Sequence, residues 1–479
     1  MAAVAVNGSA PHLELDDIQG LAARGYGNLR AAAFLLVGLD GPDAARRWLG
    51  WLAGSITRAS ERPAERSVNV AFTAPGLAKL GLPPGTETGF AAEFVEGMVT
   101  PHRRRLLGDV DTNAPEGWAW GGPATPPVDA LLLLYATGAA ELEALRDLHV
   151  QRLDAERLRL IAALDTRELD AYEHFGFHDG ISQPIIEGLS KTGPWADTLR
   201  AGEFILGYPN EYGLLTPRPL VPASSDPKGL LPSHPERKDS RDLGRNGSYL
   251  VLRQLRQYVH RFWRYVDAAA SPGEGADDPI ARTRLAAKMV GRWPSGAPLA
   301  LAPDADEERL ANENDFGYQA PDLSGDRCPI GSHVRRANPR DSLEPQPGSR
   351  KSIAVGKRHR ILRRGRGYGP RVDLQTALAG DEDLGEDRGL HFICLNANIA
   401  RQFEFIQHTW INDPRFNGLY EDPDPLVGAP TSADRAFTIQ GTPLRTRLRG
   451  LPEFTSVRGG GYFFLPGIRA IRYLASSGS

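Results

Sequence analysis

The order of its strand-like and helix-like segments predicts that this chain is an α+β protein in which one strand-and-helix pattern is used twice. Three observations carry the prediction. Apolar runs of strand length alternate with helical stretches through the first third of the chain. The alternation restarts near residue 247. Between the two parts lies a proline-rich stretch that can form neither a helix nor a central strand.

Taken in order, the first strand is expected over 31–39, an apolar run too short to cross a bilayer and suited to burial in a sheet. Pro42 opens a helix over 42–52, whose apolar residues recur at helical spacing. A strand over 67–73, a helix near 75–82, a strand over 130–135 and a helix over 139–160 continue the pattern. In the second part a strand over 247–252 leads into a helix over 255–266, and later strands are expected near 389–395 and 460–465. The stretch 216–235 reads as a loop ordered over the surface, because its prolines remove backbone donors. A second irregular stretch is expected over 271–277. The acid-rich loops at 304–308, 381–387 and 421–424 read as solvated surface.

At 479 residues the chain is long enough for a large core and for two or more domains. The expected division is an N-terminal half over 1–213, a Pro-rich inserted loop over 214–245 and a C-terminal half over 246–479. A formal net charge of −3 gives no hint of a polyanionic partner, so nucleic acid is not expected. The first residues hold the acids Glu14, Asp16 and Asp17 and no basic or twin-arginine stretch, which opposes export. With no membrane span visible either, a cytoplasmic location is expected. Nothing in the sequence sets the oligomeric state, and a homo-oligomer is allowed.

Three segments carry chemistry. In 174–184, Asp179 stands between Phe175-Gly176-Phe177 and Gly180. The glycines let main chain approach a bound group closely, and the two phenylalanines offer an apolar wall. Desolvation there raises a carboxyl pKa and a nearby cation lowers it, so the group can be tuned for proton transfer. The same pattern is also that of an Asx-type turn.

In 328–340, His333 stands beside Arg335, Arg336 and Arg340. An imidazole ringed by fixed cations suits an anionic cofactor. Haem meets that description, since its iron takes a histidine nitrogen and its propionates need cationic or hydrogen-bonding partners. A histidine capped by a loop carbonyl is the plainer alternative. In 360–370, Ile361 and Leu362 deliver Arg363 just before glycines relax the chain. A guanidinium stays charged at any working pH and suits a peroxide bond gaining negative charge as it breaks. The alternative is a solvated basic surface over 350–371, used against RNA or DNA, and the apolar pair argues against it.

Together these segments closely resemble the dye-decolorizing peroxidase family, whose signatures are a Gly-x-x-Asp-Gly motif, a proximal haem histidine and a distal arginine. Here the motif is Gly176-Phe177-His178-Asp179-Gly180, the histidine falls on His333, and the arginine of an Ile-Leu-Arg segment falls on Arg363. Further segments similar to the family are 207–213, 247–253 and 389–394 leading into 401–407, so the resemblance covers most of the chain.

The resemblance implies duplicated ferredoxin-like domains, antiparallel sheets flanked by helices, with haem in the C-terminal half. It implies a haem peroxidase that uses hydrogen peroxide to oxidise organic donors such as dyes and phenolics by one-electron steps. Asp179 would move a proton from the inner to the outer peroxide oxygen, and Arg363 would stabilise the separating charge. An acidic proton carrier implies an acidic activity optimum. His333 would ligate iron, with Arg335 and Arg340 as cofactor partners. Leu390 and Phe392 would line a distal pocket that admits peroxide but not bulky substrates.

The family also sets an acid against the far nitrogen of the proximal histidine. Asp434 is the candidate, with Glu404 as the alternative. Gly365 stands where some bacterial members carry a distal asparagine, which leaves Asp179 and Arg363 as a two-residue distal set. With only Cys328 and Cys394, and no Cys-x-x-Cys-His, neither a disulfide framework nor covalent haem is expected. One noncovalent haem b per chain follows. Some long members oxidise manganese at acidic clusters, but nothing in the sequence shows that these acids converge. Bulky donors would pass electrons through surface aromatics. Trp263, Trp410, Tyr368 and Tyr420 lie near family-like segments, and none is assigned that role. A competing reading is a haem-binding or haem-handling protein without significant turnover, which would need His333 but neither Asp179 nor Arg363.

Overall fold

Long apolar runs become the inner strands of one sheet. In the N-terminal half the order is β1 (Ala31–Gly38), α1 (Pro42–Leu52), β2 (Arg66–Phe72), β3 (Ala130–Ala136), α2 (Ala139–Ala155) and β4 (Arg159–Asp165). Antiparallel pairing places the strands in the order β2, β3, β1, β4. β1 and β3 are buried along their whole length, which is why both are unbroken apolar runs. Leu35 and Val37 of β1 point into the core formed with Trp48 and Leu49 of α1, while Phe34 and Leu36 point into the core on the other face.

The structure is a computed structural model that describes residues 12–189, 191–270, 278–380, 387–429 and 434–476. The irregular stretch expected at 271–277, and all but the last residue of the acidic loop at 381–387, lie outside the described residues.

The C-terminal half repeats the same order. It runs through β5 (Ser248–Gln257), α3 (Val259–Ala270), β6 (Leu362–Arg363) with β7 (Arg366–Tyr368), β8 (Gly389–Asn396), a wide-turned helical segment over 400–411, and β9 (Thr455–Leu465). β6 and β7 both pair with β8, β8 pairs with β5, and β5 with β9, all antiparallel. Each half is thus a βαββαβ unit with the same strand order, which is the duplicated ferredoxin-like fold. β9 meets β2 at Phe464 and Phe72, so the two halves share one nine-stranded sheet.

Two boundaries differ from the sequence expectation. The helix expected over 139–160 ends at Ala155, and β4 follows. Arg157 takes a left-handed backbone at φ 58, and the Leu158 N–H donates back to the Leu153 carbonyl. A glycine at that turn would have announced the stop, and an arginine does not. The helix expected over 255–266 instead begins at Val259, because pairing with β8 and β9 on both sides carries β5 through to Gln257. The proline-rich loop is ordered by a short pair, Leu220–Pro222 with Ser240–Asp242, and by a buried ion pair of Arg218 with Asp242 at 2.7 Å. No helix among the described residues is long and apolar enough to cross a membrane.

α2 buries His149 edge-on to Trp51, with neither ring nitrogen hydrogen-bonded. Burial pushes its pKa down to about 4 from an ordinary 6.5. As pH falls through that window, the unfolded chain takes up a proton that the folded chain refuses. The fold therefore loses stability there, up to about 3 kcal/mol. His149→Leu is expected to raise the melting temperature more at about pH 5 than at about pH 7.5 in scanning calorimetry. An equal gain at both would show that this histidine does not set the acid sensitivity.

Candidate active site

The distal loop is held from below. Glu173 accepts hydrogen bonds from the Phe175 and Phe177 N–H groups, at 2.8 and 2.9 Å, and from Gln257 of β5 at 2.7 Å. Phe175 and Phe177 are buried against Phe262 and Trp263 of α3. Instead of forming a wall beside Asp179, the two rings anchor its loop to the core. Gly176 and Gly180, at φ 94 and 83, make the turns that present Asp179. The Asp179 N–H donates to the Ala171 carbonyl, and its Oδ1 accepts from the Gly180 N–H at 2.6 Å. The local Asx-like bond is therefore real, and it leaves the carboxylate 46% exposed.

That carboxylate meets Arg363. Arg363 sits on β6 opposite Cys394 of β8, and its N–H donates to Gln183 Oε1. Its Nη1 donates to Asp179 Oδ1 at 2.8 Å. Burial raises the Asp179 pKa, but the Arg363 charge and the Gly180 N–H outweigh it and hold the group below its ordinary 3.8. The His333 charge also lowers it, so the histidine lies within electrostatic reach of the distal pair.

On the proximal side, His333 opens a short helix, His333–Ala337, tied down where Ser332 Oγ donates to the Lys288 carbonyl at 2.5 Å. Its Nδ1 is 2.9 Å from Asp424 Oδ2. The Asp424 Oδ1 in turn accepts the Leu426 and Val427 N–H groups, at 2.9 and 3.0 Å. Burial lowers the His333 pKa, but the charge and hydrogen bond of Asp424 more than offset it and raise the value. The side chain is 32% exposed, and Nε2 has no protein partner among the described residues.

The acid expected at Asp434 is thus Asp424. Asp434 is exposed and pairs with Arg449 at 2.6 Å. Glu404 is buried elsewhere, accepting from Arg103 at 2.6 Å and from the Tyr462 hydroxyl at 2.8 Å. The acid-rich composition of 421–424 predicts a solvated loop. Asp424 is instead fully buried, because its main-chain and histidine partners replace water. Its place between Pro423 and Pro425 is the one local signal that sets it apart.

The arginines near His333 also do different work from that expected. Arg335 is spent on Asp322 at 3.1 Å and on the carbonyls of Cys328, Asp322 and Leu323. Arg336 donates to the carbonyls of Gly331, Trp410, Asp413 and Asp422. Both hold loops together, although Arg335 Nε is buried without a partner. Arg340 binds the Asn314 and Phe316 carbonyls, yet its Nε stays buried without a partner. Arg360 Nη2 and Asn338 Nδ2 share that state, and all three residues line one hollow of about 330 Å³. Burial lowers the Arg360 pKa, Asp197 at 3.2 Å opposes this, and Arg340 and Arg363 repel it. Sequence reading gave Arg360 no role.

The distal wall follows from strand register. Arg363 lies opposite Cys394, and Leu390 and Phe392 share the Cys394 face of β8, while His391 and Ile393 turn to the other. A Cβ at Gly365 would meet the His391 carbonyl at 2.7 Å, so no side chain fits there without a backbone shift.

These residues fit a haem. One imidazole nitrogen is open while the other is fixed by a buried carboxylate, which is how iron-ligating histidines are held. The unpartnered buried donors of Arg340, Arg360 and Asn338 are what carboxylates would satisfy. No group of three or more His, Cys, Asp or Glu side chains among the described residues is placed to hold a bare metal ion.

No protein-family model matches the chain. It is 31% identical over 448 residues to a dye-decolorizing peroxidase of Mycena epipterygia, covering 86% of this chain and 76% of that protein. It is 29% identical over 469 residues to a multifunctional dye peroxidase of an Amycolatopsis species, covering 94% and 91%. The crystal structure of a fungal DyP-type peroxidase from Auricularia auricula-judae superposes with a TM-score of 0.78 and 26% identity, over 98% of this chain and all of that one. Similarity of this extent, in sequence and in fold, places the chain in the dye-decolorizing peroxidase family and makes it a haem peroxidase.

Proposed function

We propose that His333 would ligate the iron of one noncovalent haem b per chain, and that Asp179 and Arg363 are the residues that would activate hydrogen peroxide there. The observation that carries this is the 2.8 Å pair of Arg363 and Asp179, set within the field of a histidine whose far nitrogen is held by Asp424. A protein that only carried haem would have no use for that pair.

Haem supplies the iron at which the peroxide bond breaks and holds the oxidising equivalents. The chain supplies the rest. Asp424 accepts the Nδ1–H hydrogen bond of His333, which fixes the ring tautomer and would make Nε2 a stronger donor to iron. Arg340 and Arg360, whose Nε and Nη2 are buried without a partner, would hold the propionates. Asp179, kept ionised by Arg363, would accept a proton from one peroxide oxygen and return it to the other, which would depart as water. Arg363 stabilises the negative charge that gathers on the leaving oxygen. Leu390 and Phe392 keep the distal space apolar and narrow. Organic donors, dyes and phenolics among them, then return two electrons in single steps.

Mixing the haem-loaded protein with one equivalent of peroxide in a stopped-flow spectrometer is expected to shift the Soret band within milliseconds. In His333→Ala the haem spectrum is expected to be lost or altered before peroxide is added. A wild-type spectrum indifferent to peroxide would favour haem carriage without turnover.

Asp179→Asn and Arg363→Leu are each expected to retain haem and to slow the reaction with peroxide by about 10²- to 10⁴-fold. Normal peroxide rates in both would remove these residues from the mechanism.

The pH profile separates their roles. Above its depressed pKa Asp179 is the carboxylate, so the acidic limb of the peroxide rate lies below the ordinary 3.8. Removing the Arg363 charge leaves burial to raise that pKa, and the limb in Arg363→Leu moves to higher pH. A limb that stays in place would show that Arg363 does not set the ionisation of Asp179.

A further inference from the structure

Arg363 stands at the edge of the sheet in a strand of two residues, so its main chain has a strand partner on one side only. The Arg364 N–H donates across to the Ile393 carbonyl of β8 at 2.7 Å. Successive residues of a strand point their N–H and carbonyl groups to opposite sides, which turns those of Arg363 away from β8 to the open edge. Side chains meet them there. The Arg363 N–H donates to Gln183 Oε1 at 3.1 Å, and the Arg363 carbonyl accepts from Arg364 Nη1 at 3.1 Å.

The same Arg364 guanidinium is tied to a distant segment. Its Nε donates to the Leu21 carbonyl at 2.9 Å and its Nη2 to the Ala22 carbonyl at 3.4 Å, both in the one-turn helix Gly20–Ala23. That helix is fixed to β2, where Asn69 Oδ1 accepts the Leu21 N–H at 3.1 Å and Gln19 makes two bonds with the Val70 main chain, at 2.8 and 3.0 Å. Arg366 of β7 reaches the same segment, donating to the Gly25 and Tyr26 carbonyls at 3.2 and 3.0 Å. Arg364 has no carboxylate partner among the described residues, and burial pushes its pKa down to about 10. A charge buried against carbonyls alone is costly, and only a rigid fork of donors spans three carbonyls on two elements.

We infer that Arg364 is a positioning residue for peroxide activation, bracing the main chain of Arg363 against the segment 19–26 so that the Arg363 guanidinium stays on Asp179. This rests on the role proposed above for the Arg363 and Asp179 pair. Arg364 does not itself reach the distal space. Leu21 and Ala22, which it binds, belong to the core on the Ile393 side of β8, while Arg363 shares the Cys394 side. Without Arg364, Arg363 keeps its charge but loses its fixed place, and the field that holds Asp179 ionised weakens. Arg363 and His333 are the charged groups that lower the Asp179 pKa, and Asp179 in turn acts on Glu173, so removing Arg364 reaches Asp179 through Arg363.

The test uses the full-length haem-loaded protein, with wild type and Arg363→Leu as references. Arg364→Met keeps the long apolar stem and removes the donors. It is expected to slow the reaction with peroxide about tenfold and to weaken cyanide binding to the ferric protein about tenfold, since both ligands bring a proton and an anion to the same pair. Its acidic limb is expected to move to higher pH, as in Arg363→Leu but less far. Arg364→Lys keeps the charge but not the fork, so it is expected to fall between wild type and Arg364→Met, and it stands in if the methionine variant does not fold. Arg366→Met cuts two bonds to the same segment and none to Arg363. It is expected to lower the melting temperature while leaving the limb and the cyanide affinity at wild-type values. A wild-type limb and cyanide affinity in the folded Arg364 variants overturns the inference, and so does an Arg366→Met that shifts both as far as Arg364→Met. An Arg363→Leu that leaves the limb and the peroxide rate unchanged would instead overturn the proposed function.

Discussion

The alternation of side chains along β8 is the constraint on which the distal site depends. A strand sends successive residues to opposite faces, so Leu390, Phe392 and Cys394 share one face, while His391 and Ile393 bury into the other. The two-residue strand β6 pairs with β8 at this point, and the register puts Arg363 opposite Cys394 on the same face. A shift of one residue would bury the guanidinium in the opposite core and turn the apolar wall away. β8 is locked against such a shift by eight paired positions with β5. Gly365 lies between β6 and β7 where an added Cβ would come within 2.7 Å of the His391 carbonyl, so a side chain has no room.

Asp179 reaches the same space by a different route. Its loop has no strand to fix it, so side chains do the fixing: Glu173 takes up two loop N–H groups, and Phe175 and Phe177 are driven into the core against α3. The proximal side repeats this logic with buried arginines. A guanidinium offers five donors in a rigid fork, so Arg335 and Arg336 each satisfy several loop carbonyls that lack secondary-structure partners. Their burial is costly and is offset only by these many bonds. That is why they stay near His333 without facing its open nitrogen.

The Arg363 and Asp179 pair sits where β6 and β8 meet the Asp179 loop, while the exposed rings of Trp195 and Tyr212 lie outside the sheet. The two regions communicate through the Asp197 and Arg360 pair, itself 3.2 Å apart and buried.

What the sequence by itself determined was whatever depends on neighbours along the chain. The unbroken apolar runs at 31–39 and 130–135 were legible because a strand buried on both faces must be apolar throughout. The glycines around Asp179 were legible because turns of positive φ favour glycine. The motif order identified His333, Arg363 and Asp179, and the structure brings them within one another's fields. Tertiary structure alone decided the partners. β4 was hidden because Arg157 rather than glycine turns the chain, and because an exposed edge strand needs no apolar run. Asp424, not Asp434, meets His333, because the pairing bridges 91 residues and depends on how a loop folds back. Arg335 and Arg340 stand near His333 in sequence, yet a guanidinium binds whatever carbonyls the fold brings to it, and only packing sets which of its donors remain open.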